Sequence, residues 1–278
     1  MNIIHAVLLG IIQGLTEFLP VSSSGHLVLF QKLFGISESA LLFDTMLHVG
    51  TLAAVVAVLW KDIWAILRKL NQPLTAYLII ATIPTVFAAL IFRKPLERAF
   101  ETGHFLGFAF LMTSVLLIVA ELLAKRGAAS GGTAKNATTM DWLDALVIGI
   151  MQAIAIIPGV SRSGTTLSGA LSRGLDRDFA ARFSFLLSIP AILGAVVFQL
   201  KDLVKGGAAE AAGVTASGGV NAGGGIGAAA MIAGTISAAV VGFFAVRLML
   251  KIVREKSLWG FAVYTGVLGL VIQIINSK

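Results

Sequence analysis

The chain has 278 residues, of which 57% are hydrophobic and only 13% charged, against roughly 45 to 50% and about 25% in soluble proteins; this excludes an ordinary water-soluble domain. The formal charge of +7 does not point to nucleic acid, because the 21 basic residues are scattered through short polar segments rather than gathered on one stripe. Cysteine is absent, which excludes disulfides and thiolate metal sites.

The first basic residue is Lys32, so the apolar N-terminus lacks the charged start of a cleaved signal peptide and is read as part of the fold. Residues 2–19 form an apolar helix, short for a membrane span, that runs into Pro20. Proline removes a backbone donor and disfavours helix in the residue before it. A Ser/Gly turn at Val21-Ser-Ser-Ser-Gly25 then opens a second helix over 23–35, too short to cross about 30 Å at 1.5 Å per residue. The pair reads as a re-entrant hairpin. Three apolar spans follow, over 41–60, 73–92 and 104–125.

The second half repeats this plan. At an offset of 139 residues, Gly10-Ile-Ile-Gln13 falls on Gly149-Ile-Met-Gln152 and Val21–Gly25 on Val160-Ser-Arg-Ser-Gly164, with seven of the sixteen positions from 10 to 25 identical. Residues 141–157 run into Pro158-Gly159, a short helix follows over 163–173, and spans are expected over 179–200, 226–250 and 257–277. Between them, Gly206 to Gly227 is Gly/Ala-rich and reads as a flexible loop.

The expected fold is therefore all-α and polytopic. It is a single membrane domain of two repeats, 1–139 and 140–278, each a re-entrant helical hairpin plus three transmembrane helices. Three spans are an odd number, so the second repeat starts on the opposite side and the repeats are inverted, a pattern known in membrane folds with broken helices. Eight simple spans are the alternative. In the hairpin reading Lys32, Arg93, Lys94, Arg98, Lys201, Lys205 and Lys278 share one side, thirteen other cations lie opposite, and Arg162 is inside. The richer side is cytoplasmic, and both termini lie outside.

Ionisable groups are costly at membrane depth, which makes Glu17, His26 and Arg162, beside the two proline breaks, functional candidates. Gln13 and Glu17, four apart, share a helix face and can share a ligand. Ser22, Ser23 and Ser24 begin one short helix, and Ser161 and Ser163 the other. Two helix N-termini aimed at one cavity make an anion site, to which Arg162 adds a planar fork for phosphate oxygens. The Glu17 carboxylate would repel a diphosphate unless it is protonated or a cation lies between them. A divalent cation is favoured, because Mg²⁺ binds through one or two carboxylates plus substrate phosphates. His26, one turn beyond the serines, is placed to accept a proton from a hydroxyl or water. Asp44 and His48, four apart, either pair with each other or line the cavity, while His5 and His104 read as interfacial. The bland readings are serines bonded to a preceding carbonyl and histidine as a packing element.

At Gln13-Gly-Leu-Thr-Glu17-Phe-Leu-Pro-Val-Ser-Ser-Ser-Gly-His26 and Pro158-Gly-Val-Ser-Arg-Ser-Gly-Thr-Thr166, the sequence resembles the undecaprenyl-diphosphate phosphatase family linked to bacitracin resistance. The resemblance covers essentially the whole chain. It implies hydrolysis of undecaprenyl diphosphate to undecaprenyl phosphate and inorganic phosphate, recycling the lipid carrier of peptidoglycan synthesis and conferring bacitracin resistance. It further implies a bacterial plasma (inner) membrane enzyme, an inverted-repeat fold, a site opening to the outer face, and a divalent cation (Mg, Mn or Ca). Onto this chain it carries function at Gln13, Glu17, Ser23, His26, Ser161, Arg162, Ser163 and Thr166.

In the resulting expectation Arg162 and the second helix N-terminus hold phosphate, with Ser161, Ser163, Thr166, Ser22 and Ser24. Gln13 and Glu17 position the metal, and His26 activates Ser23 or water. The expected partners are the lipid diphosphate, the bilayer and a second copy of the chain, not nucleic acid. A transporter or flippase for lipid phosphates is the rival reading, since broken helices in inverted repeats also build transporters. Transport alone would not require the Glu17, Ser23, His26 and Arg162 set.

Overall fold

A computed structural model describes residues 1–36, 41–92, 105–129, 131–205 and 226–277, the last four of 131–205 by backbone only. Eleven helices occur among the described residues: α1 (Ile3–Thr16), α2 (Ser23–Leu33), α3 (Leu41–Val58), α4 (Trp60–Arg68), α5 (Pro73–Ile91), α6 (Leu106–Ala129), α7 (Trp142–Ile154), α8 (Arg162–Ser172), α9 (Arg177–Lys205), α10 (Ala228–Glu255) and α11 (Trp259–Asn276). Six of them, α3, α5, α6, α9, α10 and α11, are long and apolar enough to cross a membrane. Arg93, Lys94, Arg98, His104, Lys278, the side chain of Lys205 and nearly all of the Gly/Ala-rich segment lie outside the described residues.

The polarity of the fold is reversed relative to a soluble protein. Ile232, Ile236, Val240, Phe244 and Leu248 form one exposed stripe on α10, and Val263, Val267, Leu270 and Ile274 another on α11. Contiguous exposed apolar area of this kind faces lipid rather than water. Polar side chains are instead buried, among them Gln13, Glu17, His26, Glu121, Asp144, Gln152 and Ser163.

Small residues let the helices approach closely. Gly10 and Gly14 of α1 lie against Gly234, Ala238 and Gly242 of α10, and a Cβ at Gly14 would meet the Ala238 carbonyl oxygen at 2.8 Å. Gly149 of α7 lies against α5 in the same manner, 2.5 Å from the Ala81 carbonyl oxygen for an added Cβ. Such small-residue contacts are how helices associate where the surroundings are as apolar as leucine. The packing is reciprocal: α1 of the first half packs on α10 of the second, and α7 of the second packs on α5 of the first. The 139-residue offset relates α1 to α7, and α5 and α10 are each the second of the three long spans in their half.

One element departs from the sequence reading. The sequence reading names no element between the spans at 41–60 and 73–92, but α4 forms there, with Trp60, Trp64 and Leu67 exposed and Ile63 and Ile66 turned to the core. Trp60 stacks on Trp64, ring centroids 5.8 Å apart, and the Arg68 guanidinium lies 5.1 Å over the Trp64 ring. This short amphipathic turn beside a span end has the composition of a membrane-interface anchor. Its polar residues had disguised it.

Two buried carboxylates away from the helix breaks are fully paired. Glu121 of α6 accepts from Arg177 and from the Leu258 backbone N–H, while Arg177 also donates to the Val253 and Lys256 carbonyls. Asp144 of α7 accepts from Lys135 and Arg173. Its hydrogen bonds, with those of Asp141, raise the pKa of Lys135. These clasps tie loops to helix ends and leave no charge uncompensated.

Candidate active site

Both helix breaks are built by the sequence at a proline. The α1 helix stops at Thr16, and Ser22 caps α2 with φ at 71° and its hydroxyl accepting from the Gly25 N–H. A positive φ on serine is strained and recurs at functional sites. The second break follows Ile154, passes Pro158 and turns at Gly159 (φ 83°), where an added Cβ would also lie 2.9 Å from Ala109 and Leu106 side-chain atoms. Ser161 caps α8, accepting from the Gly164 N–H at 3.1 Å.

The breaks meet. Ser163 Oγ donates to the Leu19 carbonyl at 2.8 Å, and Ser24 Oγ accepts from the Gly159 N–H at 3.4 Å. In each short helix the first two backbone N–H groups have no carbonyl one turn back to reach. Ser23 and Ser24 in α2 and Arg162 and Ser163 in α8 therefore present donors from two helix N-termini at one place, where negative charge is favoured.

Glu17 is the hub. It is 7% exposed, and its Oε1 accepts from Arg162 Nη2 at 2.6 Å. Its Oε2 accepts from Ser23 Oγ at 2.6 Å and from Gln13 Nε2 at 2.9 Å, with His48 Nε2 3.8 Å away. The structure thus brings Gln13, Glu17, Ser23 and Arg162 into one hydrogen-bonded group. It also answers the repulsion problem in an unforeseen way, because Arg162 directly neutralises Glu17. Two buried atoms of the group have no hydrogen-bond partner among the described residues: Arg162 Nη1, a donor, and Gln13 Oε1, an acceptor. A buried unpartnered donor beside four helix-terminal amides is what an anion would satisfy.

His26 sits differently from the expectation. Its Nδ1 lies 2.7 Å from the Ser22 carbonyl and its Nε2 2.8 Å from Tyr264 Oη. A carbonyl only accepts, so Nδ1 carries the proton and Nε2 takes the Tyr264 hydroxyl proton as acceptor. The ring also stacks on Tyr264 and meets Phe110 edge-on. The expected His26 to Ser23 contact is not made; Ser23 is bonded to Glu17 instead. Three apart on α2, the two residues are neighbours on the helix, but the Ser23 hydroxyl is drawn to Glu17 at the end of α1 and the His26 ring to Tyr264 on α11.

Several hydroxyls proposed for phosphate serve the backbone here. Ser22 and Ser161 cap their helices, and Ser161 and Ser163 Oγ lie 3.2 Å apart. Thr166 bonds back to the Arg162 and Ser163 carbonyls and meets Ser184. Asp44 and His48 do not pair through their side chains: Asp44 accepts from Gln31, and His48 Nδ1 bonds the Asp44 carbonyl while Nε2 turns toward Glu17. His5 stacks on Phe34 near the start of α1. Sequence reasoning missed Tyr264, which no local pattern links to a residue 238 positions away, and Thr113, whose hydroxyl accepts from the Ser161 N–H.

No group of three or more His, Cys, Asp or Glu side chains forms a ready metal centre among the described residues. The free Gln13 Oε1 and the Glu17 carboxylate are nevertheless hard oxygen donors on one helix face. That pair suits a hard cation which draws its remaining ligands from substrate phosphate.

The sequence profile described as bacitracin resistance protein BacA matches residues 6–271. The chain is 44% identical over 277 residues to the undecaprenyl-diphosphatase of Carboxydothermus hydrogenoformans, covering 100% of this chain and 98% of that one. It is 39% identical to the undecaprenyl-diphosphatase of Halothermothrix orenii, covering 99% and 98%. It is 42% identical to undecaprenyl-diphosphatase 4 of Bacillus thuringiensis subsp. konkukian, with the same coverage.

Proposed function

Since the chain belongs to the bacitracin resistance protein BacA family, we propose that it is a multi-pass membrane undecaprenyl-diphosphatase, releasing inorganic phosphate from undecaprenyl diphosphate at the junction of the two helix breaks. The observation that carries the site is the Glu17 carboxylate bridging the Ser23 hydroxyl and the Arg162 guanidinium, both at 2.6 Å. A serine hydroxyl donating to a carboxylate is a nucleophile beside its base. A guanidinium with a free donor is a receptor for the phosphate that will be attacked.

The steps follow from these atoms. The terminal phosphate enters between the N-termini of α2 and α8 and takes up Arg162 Nη1 and the free backbone N–H groups. As phosphate draws the guanidinium away, Glu17 loses its cationic partner and becomes a better proton acceptor. Ser23 Oγ bonds to the terminal phosphorus and passes its proton to Glu17 Oε2. The bond from that phosphorus to the bridging oxygen breaks, and the lipid monophosphate leaves. Water then attacks the phosphoserine phosphorus, the bond from phosphorus to Ser23 Oγ breaks, Oγ takes back the proton held on Glu17, and the hydroxyl and proton of the water leave with inorganic phosphate. His26, with Nδ1 on the Ser22 carbonyl and Nε2 on the Tyr264 hydroxyl, ties α2 to α11 and so orders the wall of the site beside Ser23.

Gln13, through its unpartnered oxygen, and Glu17 would hold a divalent cation (Mg, Mn or Ca). Such an ion supplies charge neutralisation at the phosphates. Inverted repeats, both termini outside and a site opening outward belong to the same proposal, supported respectively by the matching packing of α1 on α10 and α7 on α5, by the charge count, and by the family's reaction on a lipid carrier; a homodimer is proposed with them. The decisive experiment is phosphate release by purified protein in detergent, where transport has no meaning. Release that stops in Ser23→Ala and Glu17→Gln is expected; undiminished release in both would remove the site, and none from the parent protein would favour the transporter reading.

A further inference from the structure

A cavity lined largely by basic residues lies away from the breaks. It occupies about 420 Å³ between the end of α3, the start of α9 and the end of α10, and Val58, Asp178, Arg182, Arg247, Lys251 and Arg254 are among the residues that line it. Val58 is ten residues beyond His48 on α3, about 15 Å of helical rise, so this cavity is separate from the site at Glu17.

Its charges are unevenly matched. Arg182 is held by Asp178 at 2.8 Å and by Asp62 at 3.2 Å, so both carboxylates are engaged by it and its own charge is fully offset. Arg254 is paired with Glu255 at 3.0 Å. Arg247 and Lys251, one turn apart on α10, enter no ion pair among the described residues; the Arg247 guanidinium lies 5.5 Å over the Phe243 ring. Two cations therefore stand beside Val58 with no carboxylate bonded to them among the described residues.

The depth and surroundings name the ligand. The cavity borders α4, whose stacked, exposed Trp60 and Trp64 mark the level of lipid head groups. The exposed stripe of α10 ends there: Phe244 and Leu248, 63% and 51% exposed, come just before Lys251 and give an apolar track one acyl chain long. A soluble phosphate would need only the cations. A phosphate esterified to fatty chains uses both the cations and the track.

We infer that Arg247 and Lys251 form a binding site for the phosphate head group of an anionic membrane lipid, at the opposite end of α10 from its glycine contacts with α1. A lipid held there would bridge α3, α9 and α10, the helices that carry His48 and pack around the site.

The test uses the whole protein in nanodiscs of phosphatidylcholine with and without phosphatidylglycerol, transferred to neutral detergent, with retained phosphatidylglycerol counted by native mass spectrometry. The double substitution Arg247→Gln/Lys251→Gln should lower retention at least about tenfold, from roughly one kcal/mol per basic residue. The matched double substitution Lys61→Gln/Arg68→Gln, which removes the same charge from α4, should retain the lipid as the parent does. Lys251→Arg alone should retain it too, which guards against simple misfolding. Equal loss in both double variants would reduce the effect to general surface charge and overturn the site. Displacement of the lipid by millimolar inorganic phosphate alone would overturn the lipid assignment in favour of a free anion. Phosphate release in neutral detergent should be unchanged in the Arg247/Lys251 variant, which separates failure here from failure of the phosphatase reading.

Discussion

Replacing Glu17 by glutamine tests the hub directly. The carboxylate accepts three hydrogen bonds, from Arg162, Ser23 and Gln13, whereas an amide offers one oxygen and turns its NH₂ toward a donor. If the oxygen faces Arg162, the NH₂ meets Ser23 and Gln13; Gln13 can answer by rotating its amide, because its Oε1 is unpartnered, and Ser23 can rotate its hydroxyl. The hydrogen bonds are thus recoverable, but the charge is not. Arg162 is left as a largely buried cation, its side chain 16% exposed. Breaking a buried pair costs about 3 to 5 kcal/mol, and the opening toward the cavity puts this one at about 3. The larger effect is catalytic, since losing a positioned proton acceptor lowers the rate by about 10² to 10⁴-fold. KM should not rise, because Arg162 is released from its internal partner and is freer to hold phosphate. The assay is steady-state phosphate release in detergent, with thermal unfolding followed in parallel. A variant whose kcat stays within about threefold of the parent while KM rises would refute the base assignment. Recovery of kcat at high metal concentration would instead assign Glu17 to a cation.

Arg162→Lys should lose at least about a hundredfold in kcat, because an ammonium cannot reproduce the two-pronged contact; near-normal turnover would take Arg162 out of the phosphate site. If Gln13 and Glu17 hold a cation, chelation should abolish release and added Mg²⁺, Mn²⁺ or Ca²⁺ should restore it, whereas full activity in chelator would end that part of the proposal. In this cysteine-free chain, a cysteine placed at Ala216 should react with an impermeant label from outside and one at Thr133 should not; the reverse pattern would overturn the orientation.

The breaks at Pro20 and Pro158 and the uncharged runs were legible in the sequence because proline chemistry and hydropathy act locally. All six spans occur within a few residues of the expected positions, the longest extension being at the C-terminal ends of α9 and α10. The meeting of Gln13, Glu17, Ser23 and Arg162 could be anticipated because two similar motifs that fold alike tend to face each other across a repeat. What could not be read was which donor reaches which acceptor. Glu17 faces a guanidinium 145 residues away, a pairing that no local spacing shows. His26 was assigned to Ser23, its neighbour in sequence, and is claimed instead by Tyr264. Sequence spacing reports the face of a helix a residue occupies, while the identity of the neighbouring helix is set by packing such as that of Gly14 on α10. The α4 helix is not legible in hydropathy because Lys61, Asp62 and Arg68 interrupt its apolar residues.

The glycine seam between α1 and α10 also governs the order in which the protein can come into being. On the ribosome, α1 emerges with Gln13 and Glu17 long before Gly234, Ala238 and Gly242 have been synthesised, and during that interval its polar face has no permanent lodging. The reaction centre is therefore the last thing to be finished rather than the first, and the newborn hairpin depends on water, lipid head groups or the insertion machinery to shelter it. Two separately synthesised halves should each be short-lived in the bilayer and should rescue one another when made together, since each carries the berth for the other's broken helix.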